Sequence, residues 1–101
     1  GVDRSVSEAI SWFRRAAERG YMSSQFNLGL VYAFAEDFPT DFEEAYKWFY
    51  LAAMSGHIGA KEQLDDLEGN GLFSREKLSP EAQSRARAVA RSMFEEYKRK
   101  K

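Results

Sequence analysis

The sequence contains no cysteine and a single histidine, and both shortages limit the chemistry open to this chain. Without cysteine there is neither a disulfide framework nor a thiol nucleophile, and one histidine cannot build a histidine-rich metal site. No apolar run approaches the roughly 18 residues of a membrane span, and the first residues are not those of a signal peptide. We therefore expect no membrane insertion. The cytoplasm is slightly favoured as the compartment, although the periplasm also fits.

The net charge is also low, but it is unevenly distributed. The 101 residues carry a formal charge of −1, yet residues 1–74 hold 12 of the 16 acidic residues and residues 75–101 hold 9 of the 15 basic ones. This separation of charge bears on which partners the chain binds and on whether it self-associates, and it does not indicate a fold. With 44% hydrophobic and 31% charged residues, the chain is expected to fold as one domain over residues 1–101.

What the sequence does have is an internal repeat of 36 residues. A segment with paired alanines, a tryptophan and a closing glycine occurs twice, and a weaker third copy has Arg85 in place of the tryptophan. The first copy comprises Glu8, Ala9, Trp12, Phe13, Ala16, Ala17 and Gly20; the second comprises Glu44, Ala45, Trp48, Phe49, Ala52, Ala53 and Gly56; the third comprises Glu81, Ala82, Ala86, Val89 and Ala90.

The apolar spacing within each copy predicts amphipathic helices, because apolar residues recur every three to four positions. Ser5 and Asp41 each precede a glutamate by three residues, as in a capping box, with Thr40 as a competing start for the second helix. Ser79 and Pro80 suit the start of the last helix. Five helices are predicted, over residues 5–19, 22–35, 41–55, 58–68 and 79–99. Short links between them favour antiparallel hairpins stacked side by side.

The motif Ala-x-x-Trp-x-x-x-Ala-Ala-x-x-Gly, followed by Leu-Gly-x-x-Tyr, resembles the Sel1-like repeat, a relative of the tetratricopeptide repeat. The resemblance implies an all-α fold, an alpha-alpha superhelix in which antiparallel hairpins form a right-handed α-solenoid. It divides the chain into the second helix of one repeat (1–20), a full repeat (21–56), and a degenerate repeat with a capping helix (57–101). The repeat-defining positions are Ala9, Trp12, Ala16, Ala17, Gly20, Leu28, Gly29, Tyr32, Ala45, Trp48, Ala52, Ala53 and Gly56.

These positions are expected to serve packing. Gly29 would let two helices approach closely, while Trp12, Tyr32 and Trp48 would fill the space between helical layers. Because the pattern starts midway through a repeat, we expect the chain to be the C-terminal end of a longer stack, with an N-terminal edge that a missing helix would cover.

The resemblance also implies a binding surface, since the first helix of each repeat lines the concave side in this family. Residues 22–35 carry a second apolar stripe, and the repeat offset brings polar residues of the next helix alongside. The candidate partner-binding residues are Phe26, Leu30, Phe34, Glu62, Asp66 and Asn70. An apolar strip beside carboxylates suits a basic or amphipathic protein or peptide. Two alternatives stay open: the stripe is core, or the N-terminal edge forms a homodimer.

No catalytic, cofactor or metal site is predicted. His57 at a helix junction is interpreted as a capping or surface residue, and the carboxylates around Asp65 as a solvated helix face. Residues 66–77 imitate the start of a calcium loop, but the twelfth position is Lys77. The basic end lacks the aromatics of a nucleic-acid module, so nucleic acid is not an expected partner. The expected function is a non-enzymatic interaction scaffold or adaptor; the alternative class is an enzyme such as a hydrolase using carboxylates.

Overall fold

The computed structural model describes residues 4–69 and 78–100, and all regular structure within these ranges is helical. The helices are α1 (Arg4–Glu18), α2 (Met22–Phe34), α3 (Phe42–Met54), α4 (Ile58–Leu67) and α5 (Pro80–Arg99). Each begins and ends within one residue of its predicted bounds. The predicted all-α class with five helices is therefore confirmed.

The turns that close α1 and α3 have the same geometry, 36 residues apart. Gly20 and Gly56 adopt φ angles of 96° and 104°, which strongly disfavour a residue with a Cβ atom. The amide of Gly20 donates to the carbonyl of Ala17 at 3.0 Å, and the amide of the next residue donates to Ala16 at 3.2 Å. Gly56 repeats both bonds one repeat later. This pairing satisfies carbonyls that a helix end leaves open and reverses the chain into the next helix.

Side-chain caps fix the starts of three helices. Asp41 accepts a hydrogen bond from the amide of Glu44 at 3.1 Å, and Ser79 accepts one from the amide three residues on at 3.2 Å. His57 caps α4 through Nδ1, which accepts from the amide of Ala60 at 3.2 Å. Helix α1 begins at Arg4, one residue before the predicted start, and the cap expected at Ser5 stays a prediction.

The core is centred on α3, which packs against α2, α4 and α5. Phe49 is fully buried and faces Gly29 of α2 so closely that a Cβ at this glycine would lie 2.5 Å from the ring. Tyr32 and Trp48 are also buried. The hydroxyl of Tyr32 accepts a hydrogen bond from the guanidinium of Arg14, which joins α2 to α1.

Helix α5 runs parallel to α3 along a row of side-chain contacts. Arg85 pairs with Glu43 at 2.9 Å, and Arg91 donates to the hydroxyl of Tyr50 at 3.2 Å, so contact positions advance together along both helices. The buried residues of α5 are small, which favours close approach of the two helices; they are Ala82, Ala86 and Ala90. Arg85, which stands where the repeat pattern has tryptophan, therefore forms a surface ion pair.

The end of α5 also reaches the end of α1. The hydroxyl of Tyr97 donates to the carbonyl of Ala17 at 3.1 Å, and the same carbonyl accepts a bond from the buried side chain of Gln25 at 3.1 Å. First and last helices are thus joined directly, through residues 80 positions apart in the sequence.

One packing prediction is wrong. Trp12 does not fill a space between layers, because 68% of its surface is exposed, whereas Trp48 at the equivalent position is 1% exposed. The difference lies in the neighbours. Helix α3 has α2 before it and α4 after it, whereas α1 packs mainly against α2, which follows it. Ala9 is exposed on α1 for the same reason.

Candidate functional site

The apolar stripe predicted on α2 has two different environments along its length. At its start, Phe26 is half-buried, with its ring stacked on His57 at a centroid distance of 4.2 Å and tilted against Phe49 at 5.6 Å. Leu30 is half-buried and packs against the core. Phe34, at the end of α2, has 63% of its surface exposed. The start of the stripe therefore packs against the core, whereas its end faces outward.

The carboxylates predicted beside this stripe lie on the exposed side of α4. Glu62 and Asp66 are both exposed, and no hydrogen bond or ion pair joins either side chain to another described residue. Phe26 contacts the start of the same helix, since its ring lies 3.6 Å from where a Cβ of Gly59 would be. Asn70 lies outside the described residues. Phe26 thus joins α2 to the start of the helix that carries the two carboxylates.

Two exposed apolar residues at the starts of α2 and α4 were not among the predicted site residues. Met22 has 39% of its surface exposed and Ile58 has 84%. Both are the first residue of their helix, and they are 36 positions apart, so the repeat offset was the signal that could have identified them. We refer to Phe34 and Ile58, with Glu62 and Asp66, as the α2/α4 strip.

The titratable side chains of His57 and Tyr46 both make contacts that hold the fold together. His57 uses Nδ1 to cap α4 and its ring face to stack on Phe26. Tyr46 donates to Glu68 at 2.5 Å and accepts from Arg87 at 3.2 Å, and burial together with the bond to the carboxylate raises its pKa to about 12. The raised pKa keeps the Tyr46 hydroxyl protonated at neutral pH, which does not favour a nucleophilic role.

Two further properties concern the described residues as a whole. They contain no group of three or more histidine, cysteine, aspartate or glutamate side chains that could hold a metal ion. The calcium-like segment 66–77 lies mostly outside them. Among the helices of residues 4–69 and 78–100, none combines the length and apolar character of a membrane-spanning segment.

Comparison with known proteins points to one family. A family model described as the Sel1 repeat matches residues 1–21 and 23–57, which is more than half of the chain. An F-box protein of Arabidopsis thaliana is 37% identical over 57 residues, which amount to 56% of this chain and 16% of that protein. The chain thus spans about a sixth of this relative. No solved structure gives a significant match.

Proposed function

Because the chain belongs to the Sel1 repeat family, whose repeats generally serve as protein-interaction modules, we propose that it is a non-enzymatic scaffold that binds a protein or peptide through the α2/α4 strip. The proposal is supported by exposed apolar side chains at the end of α2 and at the start of α4, together with two α4 carboxylates that form no ion pair with another described residue. The carboxylates add a preference for cationic partners.

The ligand that fits this strip is a basic amphipathic segment. Phe34 and Ile58 offer apolar contact area at the surface, while Glu62 and Asp66 form no ion pair with another described residue. A helix with one apolar side and lysine or arginine beside it would bury the two apolar side chains and neutralise the two carboxylates. Exposed charges of this kind act mainly on association rate and on specificity.

The proposal is tested with two synthetic 18-residue helices that share one leucine stripe and differ only in having lysine or glutamate beside it. Isothermal titration calorimetry measures binding of each peptide to the 101-residue chain. We expect the lysine peptide to bind, with affinity falling as salt rises, because the contributing charges are exposed. Phe34→Ala with Ile58→Ala should weaken this binding at least tenfold.

The chain offers matched controls for these substitutions. Val89 on α5 is 47% exposed and apolar but lies outside the strip, so Val89→Ala should leave lysine-peptide binding unchanged. Glu62→Lys with Asp66→Lys should abolish binding, whereas Glu96→Lys on α5 should not. Circular dichroism confirms that each variant keeps its helices. Equal binding by the strip and control variants would refute the assignment of the site.

A further inference from the structure

Helix α5 does not pack against the helix that precedes it. In the preceding pair, α3 follows α2 and packs more extensively against it than against any other helix. Helix α5 follows α4, yet it packs against α3 and makes little contact with α4. The contacts of Arg85 with Glu43 and of Arg91 with Tyr50 hold it parallel to α3. A comparison of the two pairs of helices shows why they differ.

The side of α2 that meets α3 shows what such a pair needs. Gly29 is buried and has no side chain, so the ring of Phe49 can lie where it would be 2.5 Å from a Cβ. Phe26, three residues earlier, places its own ring 5.6 Å from that of Phe49. A position without a side chain, with an apolar residue beside it, therefore lets α3 pack closely on α2.

The corresponding positions of α4 carry carboxylates. The 36-residue offset places Glu62 at the position of Phe26 and Asp65 at the position of Gly29. Neither carboxylate forms an ion pair with another described residue. A helix packed on this side of α4 would take both away from water, and even a pairing with Arg85 rarely repays that cost. Arg85 pairs instead with Glu43 at the surface of α3.

The exposure of this side of α4 agrees with the comparison. Ile58 has 84% of its surface exposed, whereas Met22 at the equivalent position of α2 has 39%. Gly69 is exposed, whereas the equivalent Ala33 is buried. Each of these α4 positions is thus more open than its counterpart on α2, as expected for a helix that lacks a second helix against this side.

We infer that Glu62 and Asp65 keep a second helix off α4, and that they thereby direct α5 onto α3 and end the series of stacked helix pairs at α4. A stack of repeats needs a polar outer face where stacking stops, because an apolar face would recruit a further helix. On this chain α4 supplies that face. The inference does not rest on the proposed function, since it concerns which helix covers α4 and not what the α2/α4 strip binds.

Two variants of the 101-residue chain test this inference. Glu62→Phe with Asp65→Gly gives α4 the pattern of α2, and a second variant adds Ala86→Phe to supply a ring from α5. Nuclear Overhauser effects (NOEs) locate α5, since in the parent chain the methyl group of Ala90 should give NOEs to the ring of Tyr50. In the variants we expect these NOEs to be lost and new ones to appear between α5 and α4.

Lys61→Phe with Asp66→Gly is the matched control, because it makes the same substitutions at exposed positions of α4 and should keep the parent NOEs. The two-substitution variant changes no buried side chain, so it should keep its helices, which circular dichroism checks. Sedimentation shows whether the helix on α4 comes from the same chain or from a second copy, and either source supports the inference. Parent NOEs that persist in both variants overturn it, as does an equal displacement of α5 in the control.

Discussion

The tightest contact between helices lies at Gly29, and its replacement by alanine is predicted to destabilise the fold. A Cβ at this position would lie 2.5 Å and 2.6 Å from two carbons of the Phe49 ring, about 1 Å inside a normal carbon–carbon contact. The ring is fully buried and packed against Phe26, so it cannot move aside without displacing other core residues. Helices α2 and α3 would therefore have to separate.

Two opposing effects set the magnitude at Gly29. Overpacking of a filled core costs about 1–3 kcal/mol, and the burial of the ring places this site near the upper end. Alanine in place of glycine in a helix interior stabilises the helix by about 1 kcal/mol. The free energy of unfolding should therefore fall by about 1–2 kcal/mol, which corresponds to a fall of about 5–15 °C in the midpoint temperature of thermal unfolding for a domain of this size.

Thermal and urea unfolding followed at 222 nm measure this loss. Gly59→Ala is the milder control, because its Cβ would lie 3.1 Å from the half-exposed ring of His57 and 3.6 Å from Phe26, so only a small shift is needed and its cost should be well below that of Gly29→Ala. Adding Phe49→Leu should make Gly29→Ala less costly than it is in the parent background. A Gly29→Ala variant as stable as the parent would refute the close-approach argument.

Three further predictions concern ionisation, caps and the surface. The pKa of Tyr46 is raised to about 12 in the folded state, so folding favours the protonated phenol. The free energy of unfolding should therefore fall as the pH rises from about 10 to 12. The urea midpoint of Tyr46→Phe should decline less over this window than that of the parent chain. Asp41→Ala and Ser79→Ala each remove a helix cap and should cost about 1 kcal/mol in urea unfolding. Arg85→Ala breaks an exposed ion pair with Glu43, so its free energy of unfolding should change by less than about 1 kcal/mol, and a larger loss would contradict a surface role.

The sequence predicted those features that depend on local spacing. A few neighbouring residues with specific backbone preferences are enough to predict the helix bounds, the caps at Asp41 and Ser79, and the turns at Gly20 and Gly56. His57 was also expected to cap or lie at the surface, although its stacking on Phe26 was not foreseen. Local chemistry decides these positions, and it does so independently of the rest of the chain.

The features that the sequence did not reveal depend on which helix lies next to which. Trp12 and Trp48 have the same residue type and the same flanking pattern, yet one is exposed and the other buried. The hydroxyl of Tyr46 on α3 donates to Glu68, the residue that caps the end of α4, and accepts from Arg87 on α5; no sequence spacing predicts this contact. Likewise the start of the α2 stripe is buried because Phe49 and His57 lie against Phe26, and neither contact is indicated by local spacing.

The bond between Tyr97 and Ala17 changes how the chain should respond when one of its ends loosens. In a linear array of repeats, each unit touches only its neighbours, so the two ends can fray separately. Here α5 contacts both α3 and the end of α1, which closes the array into a loop of mutually supporting helices. Loosening of α5 therefore removes support from α1, and protection against amide hydrogen exchange at the two ends should rise and fall together.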